Sequence, residues 1–249
     1  MLFWLSQKHA AAPAAFVSAS VSQPHLAGNP AVPLRKVDIR AVYFVPQDRA
    51  AAPNGNWQPA LKTALEQTVN FYKKQLGGHV NFSFEIYPQA VSGFEITTFY
   101  DGTNTGRGNP QALLGIRQEL QKRLFSTSGD LYQKHFVPSG NDFPVLAILY
   151  EGVGGGGTLL DESDHVATKA GDQISALLLA RNFLTKDDYQ DYGATFLAHE
   201  FGHALGLKDN YDTETGQPFS DDIMGSGRFR PLPYTFLAGA DKQALGLRP

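Results

Sequence analysis

The sequence predicts an α+β fold in which a mixed β-sheet with helices is followed by a small, mostly irregular carboxyl-terminal part. Strand-like apolar runs and amphipathic helical segments follow one another over residues 37–205, whereas only one short helical segment is found beyond residue 206. With 249 residues, of which 42% are apolar, the chain can bury the core of one domain, whole or divided into two subdomains.

The first half of the predicted domain contains two strand-then-helix units. Residues 37–45 (VDIRAVYFV) are rich in β-branched and aromatic residues, and residues 80–87 alternate apolar with polar positions, so both predict strands. Residues 57–76 and 110–125 have apolar residues at helical spacing, and Pro110 suits the first turn of a helix.

The second half predicts two further strands and two helices. Residues 145–150 (VLAILY) and 174–180 (ISALLLA) are continuous apolar runs typical of central strands, with a glycine-rich segment between them. Residues 191–205 form a helix with one apolar face, and residues 235–245 form a last short helix.

The amino-terminal residues 1–36 are predicted to be a leader or flexible extension. Residues 18–36 carry three prolines among Ser, Gly and Asn, which favours an extended segment that joins or wraps the domain rather than building its core. The start of the chain is a poor signal peptide, because Lys8 follows the most apolar residues instead of preceding them. The domain is therefore expected to span residues 37–249.

Composition excludes several classes of function. Without cysteine, the chain has no disulfide, no Cys-rich zinc site and no thiol nucleophile, so any metal must be held by His and carboxylate groups. A net charge of -3 provides no basic surface for nucleic acid, and no apolar run reaches the length of a membrane span.

The helical segment 191–205 carries the strongest chemical signal, the run His199-Glu200-Phe201-Gly202-His203. The two imidazoles lie four residues apart, about 40° around a helix and about 6 Å along it, so one metal ion can bind both. Glu200 lies close to the same face, where it can deprotonate a metal-activated water without being a ligand. This spacing predicts two zinc ligands and a general base.

A third ligand is expected after the helix. Gly206 can adopt the positive φ that ends a helix and turns the chain back, so that Asp209 can bring a carboxylate to the metal. Two nitrogens, one oxygen and a water would form an open catalytic site. Asp221 and Asp222 are alternative third ligands.

The extended run through Asp209 resembles the metzincin clan of zinc peptidases, in particular the immune inhibitor A-like and snapalysin-like proteases with Asp as third ligand. Met224, one of only two methionines, lies in a segment that resembles the metzincin Met-turn, where it would pack beneath the zinc. The resemblance covers residues 191–247 and implies zinc ligands His199, His203 and Asp209, with Glu200 as the catalytic base.

The resemblance also implies the architecture and setting. A metzincin-like fold has a twisted sheet and helices in an amino-terminal subdomain, here residues 37–206, and a small carboxyl-terminal subdomain with the Met-turn and terminal helix, here residues 207–249. It implies a secreted or cell-envelope, monomeric enzyme that acts on proteins or peptides. Residues 155–159 resemble the glycine-rich entry to the edge strand that pairs with substrate; a flexible loop is the alternative.

Weaker candidates remain. Tyr211 and Tyr234 could each stabilise the oxyanion of the reaction, although packing of a buried aromatic ring is the alternative for both. Acidic residues between the last two strands could bind calcium, or could form a solvated acidic loop: Asp161, Glu162, Asp164 and Asp172. Residues 152–157 satisfy the GxGxxG pattern, but no helix start follows to bind a phosphate, which argues against a nucleotide site.

These features predict a zinc endopeptidase. The alternative from another class is a metzincin-like domain that binds zinc and recognises a partner without cutting it, which the presence of Glu200 disfavours. A purely structural zinc site is also disfavoured, because such sites usually have four protein ligands.

Overall fold

A computed structural model of the chain describes residues 22–101, 110–124, 142–152, 156–159, 175–181, 184 and 192–248. No helix within these ranges is long and apolar enough to cross a membrane. The acidic residues Asp161, Glu162, Asp164 and Asp172, considered above as calcium ligands, lie outside the described residues.

A mixed β-sheet forms the centre of the molecule. Its strands are β3 (Lys36–Val45), β4 (Asn81–Ile86), β5 (Val91–Ser92), β6 (Asp142–Tyr150), β7 (Gly157–Leu159) and β8 (Ser175–Ala180), and a separate hairpin consists of β1 (His25–Leu26) and β2 (Asn29–Pro33). The order across the sheet is β4-β3-β6-β8-β7, with β5 paired to the end of β3. All pairs are parallel except β7 with β8.

Helices cover both faces of this sheet. They are α1 (Trp57–Gln75), α2 (Thr97–Asp101), α3 (Pro110–Leu124), α4 (Gly193–Ala204) and α5 (Gly239–Ala244). Because side chains alternate along a strand, Ile39 and Tyr43 of β3 join the core under α1 and α4, whereas Val42 and Phe44 join a second core under α3. The α+β fold class with a mixed sheet is confirmed.

Helix α4, which carries the histidine motif, packs against α1 and against the strands β7 and β8. Leu197 and Phe201 are buried in the main core, and the Tyr72 hydroxyl of α1 donates a 2.7 Å hydrogen bond to the Ala198 carbonyl. The Phe201 ring packs on Tyr72 with ring centroids 5.0 Å apart. One face of α4 is thus fixed against apolar neighbours, and His199 and His203 lie on another face.

The amino-terminal segment contributes more to the core than its composition indicates. Leu26 and Leu34 are fully buried in the main core, contrary to the expectation that residues 18–36 stay outside it. Backbone hydrogen bonds run from His25 N–H to the Leu245 carbonyl (2.9 Å) and from Ala27 N–H to the Leu205 carbonyl (3.0 Å). This segment therefore ties the end of α4 to the end of the described chain. The subdomain boundary near residue 206 stays a prediction.

The edge strand expected near residues 155–159 is present as β7, the last strand of the sheet as far as the structure describes it. It runs antiparallel to β8, with Thr158 opposite Leu177. Its position beside α4 brings the sheet edge next to the histidine motif, since Thr158 contacts Glu200.

Candidate metal centre

Helix α4 presents His199 and His203 on the face opposite its apolar contacts, one turn apart. The helix ends just before Gly206, whose φ of 91° is the left-handed conformation that glycine adopts readily. Two hydrogen bonds close this end: Gly206 N–H to the His203 carbonyl (2.8 Å) and Leu207 N–H to the Gly202 carbonyl (3.0 Å). The chain therefore turns back toward the histidines, as the position of the glycine predicts.

Asp209, three residues past this turn, lies with its carboxylate against both imidazoles. Its Oδ1 is 3.1 Å from His203 Nε2 and 3.5 Å from His199 Nε2. The ligand atoms of these three residues all lie within 4.8 Å of one another, close enough to share one metal ion.

The contacts of Nδ1 in His199 and His203 show that Nε2 is the ring nitrogen that faces Asp209. His199 Nδ1 is 2.9 Å from the Ile223 carbonyl, and His203 Nδ1 is 2.9 Å from the Leu207 carbonyl. A carbonyl accepts only, so each Nδ1 carries the hydrogen of the neutral ring and each Nε2 presents a lone pair to Asp209. Metal-binding histidines are commonly oriented in this way.

A cation fits this arrangement, because Asp209 Oδ1 is buried and has no hydrogen-bond partner. Two lone pairs and a carboxylate oxygen that face one another at 3.1 to 3.5 Å require a proton or a cation between them. The donor set of two imidazoles and one carboxylate suits zinc.

The pKa values of the metal-free centre follow from the same geometry. Burial and the neighbouring His203 lower the pKa of His199 to about 3. Burial also opposes protonation of His203, but Asp209 and Glu200 outweigh it and raise that pKa. Despite burial, the two imidazoles hold the pKa of Asp209 below its usual value. Protons and metal would compete for these ligand atoms.

Glu200 lies beside this cluster and is fully buried. Burial raises its pKa to about 7, in spite of the opposing effects of His203 and of a hydrogen bond from Thr158. The Thr158 hydroxyl lies 2.9 Å from Glu200 Oε2 and also 2.9 Å from the Glu200 carbonyl. A carboxylate with a pKa near neutrality can take up and release a proton at ordinary pH.

Two glycines permit close approaches to this region. A Cβ at Gly156, just before β7, would lie 2.5 Å from Glu200 Oε1. A Cβ at Gly202 would lie 2.5 Å from Met224 Sδ and 2.9 Å from the Tyr72 hydroxyl. Met224 is fully buried beneath α4, where it packs against the helix through the Gly202 position.

Asp222 supports the turn that contains Met224. Its Oδ1 accepts hydrogen bonds from the backbone N–H groups of Met224 (2.7 Å) and Gly225 (3.0 Å), and its Oδ2 accepts from Ser220 Oγ and Asn210 Nδ2 (2.9 Å). Because both oxygens are used within the turn, the alternative of Asp222 as third ligand is not supported. Asp221 is exposed and 3.3 Å from Arg230, away from the cluster.

Asn210 extends this support to the last helix. Its Nδ2 donates to Asp241 Oδ2 of α5 at 3.1 Å, and its backbone N–H donates to the Met224 carbonyl at 2.8 Å. We call these three side chains the Asp222 network: Asp222, Asn210 and Asp241. The network connects the turn that contains Met224 to Asn210, the neighbour of Asp209, and to α5. Sequence reasoning did not assign this role; an Asp two residues before a Met-Gly pair is the signal for such a turn.

The two candidate tyrosines lie in different surroundings. The Tyr211 ring stacks on His199 with ring centroids 6.3 Å apart, and burial together with Asp209 raises its pKa to about 12. Tyr234 lies in the short 3-10 helix Leu232–Tyr234 and is 75% exposed. The structure brings Tyr211 to the cluster and gives Tyr234 no buried position beside it.

Arg228, which sequence reasoning did not single out, lies next to Tyr211. Its guanidinium carbon is 3.7 Å from the centroid of the Tyr211 ring and 4.4 Å from that of Phe229. Its Nη1 donates to the Gly225 carbonyl at 2.7 Å. The positively charged Arg228 side chain therefore lies next to the metal centre, on the Tyr211 ring.

Comparison with protein families agrees with this geometry. Residues 165–230 match the family described as immune inhibitor A peptidase M6, catalytic domain. The matched segment includes both histidines, Glu200, Asp209 and Met224. Over these residues the chain is similar to a metallopeptidase catalytic domain. A search of curated proteins found no match.

Two solved structures are similar to this chain. Catalytically inactive OgpA from Akkermansia muciniphila, in complex with an O-glycopeptide (glycodrosocin) substrate, is 17% identical with a TM-score of 0.46 over 89% of this chain. Metalloproteinase-II from Bacteroides fragilis is 12% identical with a TM-score of 0.47 over 88% of this chain. The alignments span 63% and 58% of those chains, so both proteins are longer than the region shared here.

Proposed function

We propose that the chain is a zinc-dependent endopeptidase in which His199, His203 and Asp209 hold the metal and Glu200 is the general base. The observation that carries this proposal is the convergence of three ligand atoms within 4.8 Å, one of them a buried carboxylate oxygen without a hydrogen-bond partner. Beside them lies Glu200, a buried carboxylate whose pKa burial raises to about 7.

Zinc, when bound, activates water and polarises the substrate carbonyl. Glu200 takes a proton from the attacking water as the C–O bond forms, and delivers a proton to the amine nitrogen as the C–N bond breaks. The Thr158 hydroxyl, 2.9 Å from Glu200 Oε2, orients the carboxylate for these transfers. The Nδ1 contacts to Ile223 and Leu207 keep both imidazoles in the orientation that metal binding needs.

The edge strand β7 is the proposed site for the substrate main chain. It is adjacent to Glu200 through Thr158, and an extended peptide can pair with an edge strand through backbone hydrogen bonds that are independent of sequence. The proposed substrate is therefore a protein or peptide in extended conformation. We further propose a monomeric, secreted or cell-envelope enzyme, since immune inhibitor A-like peptidases are typically extracellular.

The variant Glu200→Gln tests the assignment of the base. We expect it to retain zinc, because Glu200 is not a ligand, and to lose casein cleavage by at least about a thousandfold, because a neutral amide cannot accept the proton. Glu66→Gln is the matched control, since Glu66 is an exposed residue of α1.

Zinc content is measured by elemental analysis and cleavage with and without a chelator. Full activity of Glu200→Gln would contradict the mechanism. Zinc-loaded wild-type protein that cleaves neither casein nor peptides would instead favour a recognition domain that binds without cutting.

A further inference from the structure

Arg228 is held next to the metal centre by three contacts that fix its orientation. The Tyr211 and Phe229 rings lie 3.7 Å and 4.4 Å from the guanidinium carbon, and the Gly225 carbonyl accepts from Nη1 at 2.7 Å. Phe229 in turn packs edge-to-face on Phe196 of α4, with ring centroids 5.7 Å apart. Stacking on aromatic rings restrains a guanidinium that would otherwise sample many rotamers.

The guanidinium has hydrogen-bonding capacity left over. It carries five N–H donors, and Gly225 takes a hydrogen bond from one nitrogen. In the part of the chain that the structure describes, no ion pair joins Arg228 to a carboxylate. Among the described residues, this half-buried cation therefore has no carboxylate at ion-pairing distance.

The charged groups around Arg228 indicate what its positive charge can do for substrate binding. The carboxylates whose charges bear on Arg228 are Glu200 and Asp209, and both belong to the proposed catalytic machinery. Arg228 adds a positive charge near these carboxylates, next to the zinc proposed to bind there, and so favours a negatively charged group of the substrate. Arg228 touches Tyr211 rather than a ligand, so it lies beside the metal cluster and not in it.

Resting on the proposed function, we infer that Arg228 forms an anion subsite that selects peptides with an Asp or Glu side chain close to the scissile bond. The guanidinium group is stacked on Tyr211 and has N–H donors beyond the one that Gly225 uses. It can hold a substrate carboxylate through charge-assisted hydrogen bonds. A role in stabilising the oxyanion is the competing assignment, but that charge develops at the metal, whereas the contacts of Arg228 are with the Tyr211 and Phe229 rings and the Gly225 carbonyl. The two assignments differ in their dependence on substrate charge.

The test uses peptides based on one sequence that the wild type cleaves, with Glu, Gln or Lys placed in turn at each of three positions on either side of the scissile bond. Wild type is expected to favour Glu over Gln by about tenfold or more in kcat/KM at one position. Arg228→Gln should lose this preference, so that it cleaves the Glu and Gln peptides with similar kcat/KM, and Arg228→Glu should favour Lys. Arg230→Gln, which alters an exposed neighbouring arginine, is the control and should keep the preference for Glu.

Affinity provides a readout that does not depend on turnover. In the Glu200→Gln background, calorimetry should show that the Glu peptide binds more tightly than the Gln peptide, and that adding Arg228→Gln removes the difference. Equal kcat losses on all peptides in Arg228→Gln would overturn the inference, as would a wild type that does not distinguish Glu from Gln in cleavage or binding. If zinc-loaded wild type binds the Glu peptide more tightly than the Gln peptide but cleaves neither, the anion subsite is supported and the proposed peptidase function is contradicted.

Discussion

Two acidic centres lie side by side in the carboxyl-terminal part of the molecule, and they differ in how their oxygens are satisfied. In the Asp222 network, both oxygens of Asp222 accept hydrogen bonds from the turn or from Asn210. In the metal centre, Asp209 Oδ1 is buried without a partner, although Asp209 is adjacent in sequence to Asn210. The first centre is complete within the protein, and the second requires a proton or a cation between Asp209 and the two imidazoles.

This difference distinguishes Asp222, which stabilises the fold, from Asp209, which is available to bind a metal ion. A fully satisfied buried carboxylate stabilises the fold, whereas Asp209 faces the two imidazoles that would share a metal ion with it. Removal of Asp209 should therefore weaken metal binding with little effect on the stability of the metal-free protein. Removal of the charge of Asp222 should destabilise the metal-free protein with little effect on metal binding. Four variants test this contrast.

The largest effect is expected for Asp209→Ala. Loss of one of three protein ligands should lower zinc affinity by at least about a hundredfold and abolish cleavage at limiting zinc, because even residues that only orient ligands contribute about 10- to 100-fold. Zinc affinity is measured by competition with a chelating dye. The exposed Asp221→Ala is the control and should bind zinc as wild type does. Unchanged affinity in Asp209→Ala would remove Asp209 from the ligand set.

Asp222→Asn should destabilise the metal-free protein by about 2–4 kcal/mol. The amide cannot accept all of the hydrogen bonds that the carboxylate accepts, and those from N–H groups to a charged oxygen are among the stronger ones. Urea unfolding of chelator-treated protein measures this change. Asp209→Asn should shift the same midpoint by much less; an equal shift would erase the contrast between the two centres.

The pH dependence of stability should change in Asp241→Asn. Burial, with a contribution from the charge of Asp222, raises the pKa of Asp241 from 3.8 to about 6. A raised folded-state pKa gives stability that is present below the unfolded value and is lost as pH rises through about 6. Relative to wild type, the variant should therefore gain about 2–3 kcal/mol between pH 4 and pH 7. Unfolding curves of both proteins at each pH measure this, and parallel pH profiles would contradict it.

The smallest effect is expected for Gly156→Ala. The added Cβ would lie 2.5 Å from Glu200 Oε1, so the carboxylate must shift, while the metal ligands stay in place. We expect about a tenfold loss of kcat with unchanged zinc affinity, because catalysis is sensitive to small misplacements of the base. Gly115→Ala on α3, where a Cβ meets nothing within 4 Å, is the control and should retain full kcat. Unchanged kcat in Gly156→Ala would argue against a critical position for Glu200.

Features encoded locally could be predicted from the sequence. The strands β3 and β6 and the helices α1 and α3 lie within a few residues of the segments that periodicity indicated, because each has a clear apolar face. The positive φ of Gly206 was also expected, since a glycine at the end of a helix commonly adopts it.

Features that depend on distant partners could not be predicted. The β1-β2 segment pairs with residues 205 and 245, and neither its composition nor its spacing points to them. The Asp222 network joins side chains 12 and 31 residues from Asn210, and each of its carboxylates looks like a surface residue in the sequence. Arg228 gains its position from the Tyr211 and Phe229 rings, which only the folded chain brings around it.

A crystal structure of the zinc-loaded protein, with anomalous diffraction recorded at the zinc absorption edge, tests the central claim most directly. We predict one strong anomalous peak bound by Nε2 of His199, Nε2 of His203 and a carboxylate oxygen of Asp209, with Glu200 close by but not coordinating. A peak whose ligands exclude Asp209, or one that Glu200 binds directly, would contradict this account of the metal centre.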